Sequence, residues 1–308
     1  MYPDIDYYVI NLAQDTEKLK KITGKLNGLN IPFTRIEGVL GKELNQEDFR
    51  DNTTAICNTV CTYSSVGCAM SHIKAWKQIS KSNKPGLVLE DDVNFSPDFN
   101  NRFKKMFHLV PNDFDIVYVG CYGGCDYNDN INILDLPSKI VAGSSVKTHR
   151  KINEHIFVPS APLALHGYII TPDAARKLVS RIGGNIETHI DMQLLKNSDD
   201  LNVYAMSPKL INQDIDTDAS LNAESYPISI NKVAADVVDK DKFPLSYRLS
   251  VNYLNILGFD INTYLIIFIV LASVLGPERW NVFFIAFTML EIVLSNFSNL
   301  VIALKHMV

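Results

Sequence analysis

The sequence predicts an α/β protein with a mostly parallel sheet flanked by helices, followed by a C-terminal hydrophobic helical hairpin. Strand-like and helical patterns alternate from the first residues, and long apolar runs close the chain. Alternation of this kind is typical of a parallel sheet with helices on its faces. We therefore expect a main domain over residues 1–233, a linker over 234–258 and the hairpin over 259–308.

The first elements predict a β-α-β unit. Residues 6–12 form a short strand pattern, and apolar residues at helical spacing then predict a helix that ends near Gly28. A second strand is expected over residues 31–36.

The central elements continue the alternation. They are, in order, helix 64–79, strand 86–89, strand 114–119, strand 166–170 and helix 172–182. Thr171 and Pro172 suit the N-cap and the first position of the last helix. A polar loop after residue 119 extends to about residue 140, and long loops at strand ends often cover a bound substrate.

Three consecutive carboxylates, Glu90, Asp91 and Asp92, follow the strand over residues 86–89. Neighbouring acids are disfavoured at the end of a buried strand unless a cation or ligand offsets their charge. Ligands of open α/β sheets bind at the carboxyl ends of the strands, where carboxylates and phosphate together suit Mg²⁺ or Mn²⁺. The motif indicates either a metal site against a nucleotide diphosphate or a solvated turn with an acidic helix N-cap.

No glycine-rich phosphate loop accompanies the acidic motif. The sequence has neither Gly-x-Gly-x-x-Gly after the first strand nor Gly-x-x-x-x-Gly-Lys-Ser/Thr. A metal held by carboxylates is the remaining conventional means of binding phosphates, which favours the metal site.

Net charge and cysteine content restrict the class of protein. A formal net charge of -5 without a basic stripe argues against nucleic acid as a partner. Five cysteines, an odd number, indicate no disulfide framework. The pairs Cys57/Cys61 and Cys121/Cys125 have a spacing that a zinc site could use, but no histidines accompany them, and we expect buried free thiols.

The C-terminal apolar runs predict attachment to a membrane. Residues 261–276 and 280–304 are mainly apolar, and residues 265–275 are apolar on all faces. A membrane-spanning helix needs about 20 such residues, which favours a membrane hairpin over a soluble helical pair or two interfacial helices. Basic residues flank the pair on the side of the main domain, so the positive-inside rule predicts that this domain is cytosolic.

A series of short motifs runs along residues 7–222. It comprises Tyr8-Val9-Ile10-Asn11-Leu12, Arg35-Ile36-Glu37-Gly38-Val39-Leu40-Gly41, Gly67-Cys68-Ala69-Met70-Ser71-His72, Leu89-Glu90-Asp91-Asp92, Gly167-Tyr168-Ile169-Ile170-Thr171 with Ala174-Ala175-Arg176-Lys177-Leu178, Ile190-Asp191-Met192-Gln193-Leu194 and Pro208-Lys209-Leu210-Ile211-Asn212-Gln213. In joint order and spacing they resemble glycosyltransferase family 25, which includes bacterial lipooligosaccharide β-galactosyltransferases and collagen hydroxylysine galactosyltransferases.

The resemblance implies a GT-A-like fold, a UDP-sugar donor and inversion at the anomeric carbon. The implied donor-binding residues are Asn11, Arg35, Ser71, His72 and Asp91, the implied metal ligands are Glu90 and Asp92, and the implied general base is Asp191. Ser71 and His72 would begin a helix that faces the donor cleft. Two of these residues have an alternative structural role: His72 as a histidine of the core, and Asp191 as the cap of a helix. Gln213 either contacts the metal or the UDP-sugar, or only ends a strand.

The chain departs from the family pattern after the first strand. An Arg-rich stretch is usual there, whereas this sequence has Ala13-Gln14-Asp15-Thr16-Glu17-Lys18, in which only Lys18 partly restores the charge. Lys and Arg bind phosphate with different geometries. We therefore expect this departure to change either the affinity for the sugar donor or the choice of donor.

We therefore hypothesise a membrane-attached glycosyltransferase, dependent on Mn²⁺ or Mg²⁺, that moves galactose or glucose from a UDP-sugar to a glycan or a hydroxylated protein side chain. The metal would stabilise the departing diphosphate, and Asp191 would remove the proton of the acceptor hydroxyl. The alternatives are a metal-dependent phosphohydrolase and a degenerate transferase that acts as a membrane-bound glycan-binding or scaffold protein.

Overall fold

A computed structural model of the protein describes residues 4–61, 63–122, 147–213, 252–256, 259–262 and 282. The chain divides into two compact units, residues 1–214 and 215–308. The expected boundary between main domain and linker, at residues 233 and 234, lies outside the described residues. The division into domain, linker and hairpin therefore stays a prediction.

The first unit is a mixed α/β structure. Its strands are β1 (Asp6–Asn11), β2 (Thr34–Glu37), β3 (Gly86–Glu90), β4 (Val93–Phe95), β5 (Ile116–Tyr122), β6 (Arg150–Lys151), β7 (Ile156–Val158), β8 (Leu163–Ile170), β9 (Val203–Met206) and β10 (Ile211–Gln213). Its helices are α1 (Thr16–Gly28), α2 (Gln46–Asn52), α3 (Ala55–Val60), α4 (Tyr63–Ile79), α5 (Phe99–Phe107), α6 (Pro172–Ile182) and α7 (Ile190–Lys196), with a short 3-10 helix over Gly41–Glu43.

The main sheet has the strand order β2-β1-β3-β8-β5-β9-β7-β6. Its central strands are buried on both faces, which explains why β3 is an uninterrupted apolar run in the sequence. Val88 belongs to the core that packs on α4 and α6, whereas Leu87 and Leu89 belong to the core that packs on α1 and α5. Successive side chains of a strand point to opposite faces, so one short run supplies both cores.

The prediction that most strands of the sheet pair in parallel is wrong. Among the described strands, β1–β2, β1–β3 and β5–β9 are parallel, whereas β3–β8, β5–β8, β7–β9 and β6–β7 are antiparallel. Strand β8 begins beside Tyr122, at the carboxyl end of β5, and ends beside Ile116. A strand that starts at this edge has to run back across the sheet, and sequence periodicity identifies a strand without giving its direction.

The expectation of free thiols is wrong for Cys57 and Cys61, which form a disulfide. They are four residues apart at the end of α3, and their Cα atoms are 4.7 Å apart, a separation that a disulfide can span. Cys121 is also disulfide-bonded, and Cys68 is free.

The second unit contains two antiparallel strands among its described residues, β11 (Asn252–Ile256) and β12 (Phe259–Asn262). These strands lie where the end of the linker and the beginning of the helical hairpin were expected. The rest of the predicted hairpin lies outside the described residues, apart from residue 282. Within the described ranges, no helix has the length and apolar character needed to cross a bilayer.

Candidate active site

The acidic motif lies at the edge of the sheet where β1, β3 and β5 end. β3 pairs in parallel with β1, and both β3 and β5 are antiparallel to β8, so all three carboxyl ends share one edge. Glu90 is the last residue of β3, and Asp91 and Asp92 form the turn to β4. The predicted placement of the three carboxylates at the end of a buried strand is confirmed.

Asp91 is held by side chains from the first two strands. The buried Asn11, at the end of β1, donates from Nδ2 to Asp91 Oδ2 at 2.6 Å. Arg35, on the adjacent β2, donates from Nε to Asn11 Oδ1 at 3.1 Å. Lys18 Nζ lies 4.0 Å from Asp91 Oδ1. Burial raises the pKa of Asp91 above its ordinary value, against the opposing effects of Asn11 and Lys18.

Glu90 and Asp92 share one amide donor. Gln213 Nε2 lies 3.0 Å from Asp92 Oδ2 and 3.3 Å from Glu90 Oε2. The other oxygen of Glu90, Oε1, lies 3.5 Å from Nε2 of His72, a buried residue of α4. The two carboxylates are thus held side by side by groups from elements distant in the sequence.

Gln213 reaches the motif because β10 crosses the end of the main sheet. β10 pairs antiparallel with β4, which places Gln213 opposite Val93. The N–H of Leu210, just before β10, donates to Val119 O at 2.9 Å. At Gly120 a Cβ would lie 2.2 Å from Ile211 O, so a larger residue there would displace β10 and Gln213 with it.

Asp92 has the most perturbed carboxylate of the motif. Its burial and the charge of Glu90 raise its pKa to about 7, against the lowering effect of the Gln213 hydrogen bond. Oδ1 of Asp92 is buried and has no hydrogen-bond partner among the described residues. A buried carboxylate oxygen without a donor, beside a second carboxylate, is the environment that a divalent cation offsets.

The donor set fits a cation that also binds substrate. No group of three or more His, Cys, Asp or Glu side chains arranged to hold a metal occurs in the described part of the chain. Glu90 and Asp92 form a pair of carboxylates, and Mg²⁺ in nucleotide sites is commonly held by one or two carboxylates with water and phosphate oxygens. The residues present therefore suit a metal ion whose coordination is completed by a phosphorylated ligand.

Asp191 lies in the first turn of α7 and is fixed by two groups. Its Oδ2 accepts a hydrogen bond from the Ala164 N–H at 2.8 Å, and its Oδ1 lies 3.4 Å from His189 Nδ1. Burial acts to raise the pKa of Asp191, but His189 and the Ala164 N–H hold the pKa below its ordinary value. Asp191 is thus ionised at neutral pH, and its hydrogen bond to the Ala164 N–H of β8, rather than to a backbone N–H of its own helix, disfavours the cap interpretation.

The backbone at Ala164 is strained. Its φ is +63°, a left-handed conformation that alanine rarely adopts. Such conformations persist where surrounding contacts fix them, often at functional sites. Here the unusual geometry directs the Ala164 N–H to the Asp191 carboxylate.

The acidic motif and Asp191 face a common region of the molecule. Burial raises the pKa of the Cys68 thiol, and the charges of Glu90, Asp191 and Asp92 raise it further. The strand register gives the placement: Leu89 lies opposite Gly167, and Ala164, which donates to Asp191, lies three residues before Gly167 on β8, at the edge where β3 ends. Asp191 is therefore at the same edge of the sheet as the motif, although it follows the motif by about 100 residues of sequence. The structure therefore brings the expected metal ligands and the expected base together.

Ser71 and His72 were expected to begin a helix. This expectation is wrong, because both residues lie in the middle of α4. Ser71 is buried, accepts from the Val39 N–H at 2.8 Å and donates to Gly67 O at 2.7 Å. It joins α4 to the loop after β2, and these contacts are structural. His72 Nε2, by contrast, reaches the acidic motif.

Sequence reasoning missed His189, Ala164 and Tyr168 as parts of the site. His189 stands two residues before Asp191, so its proximity was available from the sequence. Ala164 and Tyr168 act through β8, whose position between β3 and β5 depends on tertiary pairing. For Gln213 the sequence left open a contact with the metal or donor, or a strand end. The structure shows that Gln213 ends β10 and donates to Asp92, and a contact with the metal or donor stays a prediction.

Comparison with known proteins gives a consistent result. The family model of glycosyltransferase family 25 (LPS biosynthesis protein) matches residues 4–194. The chain is similar to procollagen galactosyltransferase 1-B of Xenopus laevis, with 28% identity over 127 residues, which are 37% of this chain and 21% of that protein. It is also similar to a procollagen lysyl hydroxylase and glycosyltransferase of Acanthamoeba polyphaga mimivirus, with 23% identity over 236 residues, 66% of this chain and 24% of the relative.

A third relative has a different description. The probable inactive glycosyltransferase 25 family member 3 of Rattus norvegicus is 24% identical over 155 residues, 46% of this chain and 27% of the relative. In these alignments the chain spans about a fifth to a quarter of the length of the curated relatives it matches.

Proposed function

Because the chain belongs to glycosyltransferase family 25, we propose that it transfers a hexose, galactose or glucose, from a UDP-sugar to a glycan or a hydroxylated protein side chain. Transfer proceeds with inversion at the anomeric carbon, on a GT-A-like domain. The relatives named procollagen galactosyltransferase support galactose as the sugar and a protein side chain as the acceptor.

The observation that carries this proposal is that Glu90, Asp92 and Asp191 lie at one edge of the sheet, where β3 ends and β8 begins. Sugar transfer from a nucleoside diphosphate needs one group that stabilises the leaving diphosphate and another that removes the acceptor proton. Two carboxylates that suit a cation and a third, separately held carboxylate supply both requirements.

Glu90 and Asp92 would hold Mn²⁺ or Mg²⁺, which when bound supplies Lewis-acid stabilisation of the diphosphate charge. The chain's own contribution is to fix the two carboxylates through Gln213 and His72. Of the two carboxylates, Asp92 depends more on the metal to offset its charge, because no described group donates a hydrogen bond to its Oδ1.

Asp191 acts as the general base. It is ionised at neutral pH, and the Ala164 N–H and His189 hold the carboxylate in one orientation. A carboxylate held in this way removes the proton of the acceptor hydroxyl as the new glycosidic bond forms, and the bond from the sugar to the diphosphate breaks.

The donor binds at the ends of β1 and β2. Asn11 orients Asp91, and Arg35 and Lys18 bring positive charge to this edge. The positive charges of Arg35 and Lys18 offset part of the negative charge of the diphosphate, while Asp91 contacts the UDP-sugar. Ser71 is left out of the donor site because both of its hydrogen bonds are used within the fold.

A degenerate transferase is the principal rival. The similarity to a relative described as probable inactive favours it, although the acidic motif and Asp191 are both present in this chain. A phosphohydrolase is the second rival, since metal-bound carboxylates also suit phosphate-ester cleavage.

The test is release of UDP by the full chain from a panel of UDP-sugars, with Mn²⁺ or with chelator, and with or without pooled hydroxyl acceptors. We expect metal-dependent release from one sugar only when acceptor is present. Acceptor-independent release would support the phosphohydrolase. Binding of UDP without turnover of any sugar would support the degenerate transferase.

The compartment is a separate proposal. Disulfides persist in oxidising compartments and are rare in the cytosol, so the Cys57–Cys61 disulfide favours an oxidising compartment over the expected cytosolic one. Membrane association through residues 259–308 stays a prediction. Fractionation of expressing cells, with and without deletion of residues 263–308, tests both.

A further inference from the structure

A chain of buried polar side chains extends from the acidic motif into the core. His72 Nε2 lies 3.5 Å from Glu90 Oε1, and His72 Nδ1 lies 3.1 Å from the Tyr168 hydroxyl oxygen. Trp76, one helical turn after His72 on α4, donates from Nε1 to the same hydroxyl at 2.7 Å. His72, Trp76 and Tyr168 are each no more than 1% exposed.

The hydrogen-bond donor and acceptor roles of these buried side chains fix the tautomer of His72. The Trp76 indole can only donate, so the Tyr168 oxygen accepts from it. The Tyr168 hydroxyl then has its own hydrogen to donate, and His72 Nδ1 is its other hydrogen-bond partner among the described residues. A buried donor without an acceptor is unfavourable, so the hydrogen goes to Nδ1. A neutral His72 therefore carries its proton on Nε2, which faces Glu90.

We propose that His72 is a positioning residue, set by Tyr168 and Trp76, that directs its Nε2–H to Glu90 Oε1. The other oxygen of Glu90 faces the Gln213 amide, so both oxygens are bracketed by donors. Donors around a metal-binding carboxylate fix its orientation before the metal binds. This inference rests on the proposed function in that Glu90 is a proposed metal ligand, and it replaces the expected role of His72 as a donor-binding residue.

Tyr118 provides a matched control. It is a second buried tyrosine in the same core, with its ring centroid 6.3 Å from that of Tyr168. Its hydroxyl has no hydrogen-bond partner in the described structure. Tyr118→Phe therefore removes a buried tyrosine hydroxyl without removing a bond to His72, whereas Tyr168→Phe removes that bond.

The first test reads the tautomer by long-range ¹H–¹⁵N NMR of the full chain labelled on histidine, with His72 assigned by His72→Gln. We expect the Nε2–H tautomer in the wild type and in Tyr118→Phe, and a loss of its predominance in Tyr168→Phe. A predominant Nδ1–H tautomer in the wild type would overturn the proposal. So would an unchanged tautomer in Tyr168→Phe.

The second test measures Mn²⁺ affinity by electron paramagnetic resonance for His72→Leu and His72→Gln. A glutamine amide can still donate to Glu90, and leucine cannot. We expect the dissociation constant to rise about 10-fold or more in His72→Leu and much less in His72→Gln. Equal affinities in the two variants, both checked for folding by thermal unfolding, would contradict a positioning role. A wild type that binds no Mn²⁺ would contradict the proposed metal site, and the NMR comparison would then decide the role of His72 alone.

Discussion

The side-chain nitrogen of Gln213 donates to Asp92 Oδ2 at 3.0 Å across a sequence separation of 121 residues. The same nitrogen lies 3.3 Å from Glu90 Oε2. One amide thus holds two carboxylates that would otherwise repel each other, and it reduces the effect of that repulsion on the pKa of Asp92.

Gln213→Leu should lower the turnover number about 10-fold, because Glu90 and Asp92 lose their shared donor. The matched control is Asn212→Ala on the same strand, since neighbouring strand residues point to opposite faces. Steady-state transfer assays at saturating Mn²⁺ measure both variants. Similar losses in the two would indicate that β10 contributes only through its backbone.

Asp191→Asn should reduce the turnover number by about 10² to 10⁴-fold with little change in KM for the donor, because the amide cannot accept the hydroxyl proton. The control is Asp173→Asn, an exposed carboxylate paired with Arg176 on the first turn of α6. It should keep wild-type kinetics. Full activity in Asp191→Asn would remove Asp191 from the mechanism.

The contribution of Asp92 to the stability of the metal-free protein should fall as pH rises from about 4 to about 7. The pKa of Asp92 is about 7 in the folded protein against an ordinary value of 3.8, so in this range the folded state binds more protons than the unfolded state. Ionisation of Asp92 in the folded state is the unfavourable event. Asp92→Asn should therefore stabilise the protein at pH 8 and have little effect near pH 4, as measured by urea unfolding with chelator present. Equal effects at both pH values would show that the pKa of Asp92 is not raised.

Mn²⁺ should offset the unfavourable ionisation of Asp92 in the folded state, because a cation favours the ionised form of Asp92. The wild type with Mn²⁺ should gain stability at pH 8 relative to the metal-free protein, and Asp92→Asn should gain much less. Thermal unfolding at pH 6 and pH 8 gives the comparison. Equal stabilisation of both proteins would place the cation elsewhere.

Asn11→Asp should lower the free energy of unfolding by about 1 to 3 kcal/mol at pH 8, because a carboxylate would replace the amide that donates to Asp91 Oδ2. Asn30→Asp is the control. Asn30 is exposed and has a φ of +56°, which Asp also tolerates. Urea unfolding measures both, and an effect at Asn30 as large as that at Asn11 would argue against a specific contact.

Local patterns in the sequence predicted much of the first unit. The strand at residues 86–89 and the helices at 64–79 and 172–182 are confirmed to within one residue. Thr171 accepts from the Ala174 N–H, as expected of an N-cap. These features depend on side-chain spacing and caps, which are local. Helix α5 was not predicted, although Phe99, Phe103 and Met106 form its buried face.

The sequence by itself determined the family motifs and the acidic cluster at the end of β3, and the resemblance carried by those motifs implied the candidate base. All three depend on residue types and short spacings along the chain. Only the tertiary structure decided the direction of β8, the contact of Gln213 with the acidic motif and the structural role of Ser71. Each of these depends on which strands pair and which edge of the sheet the chain enters, and residues far apart in sequence meet only when that pairing has formed.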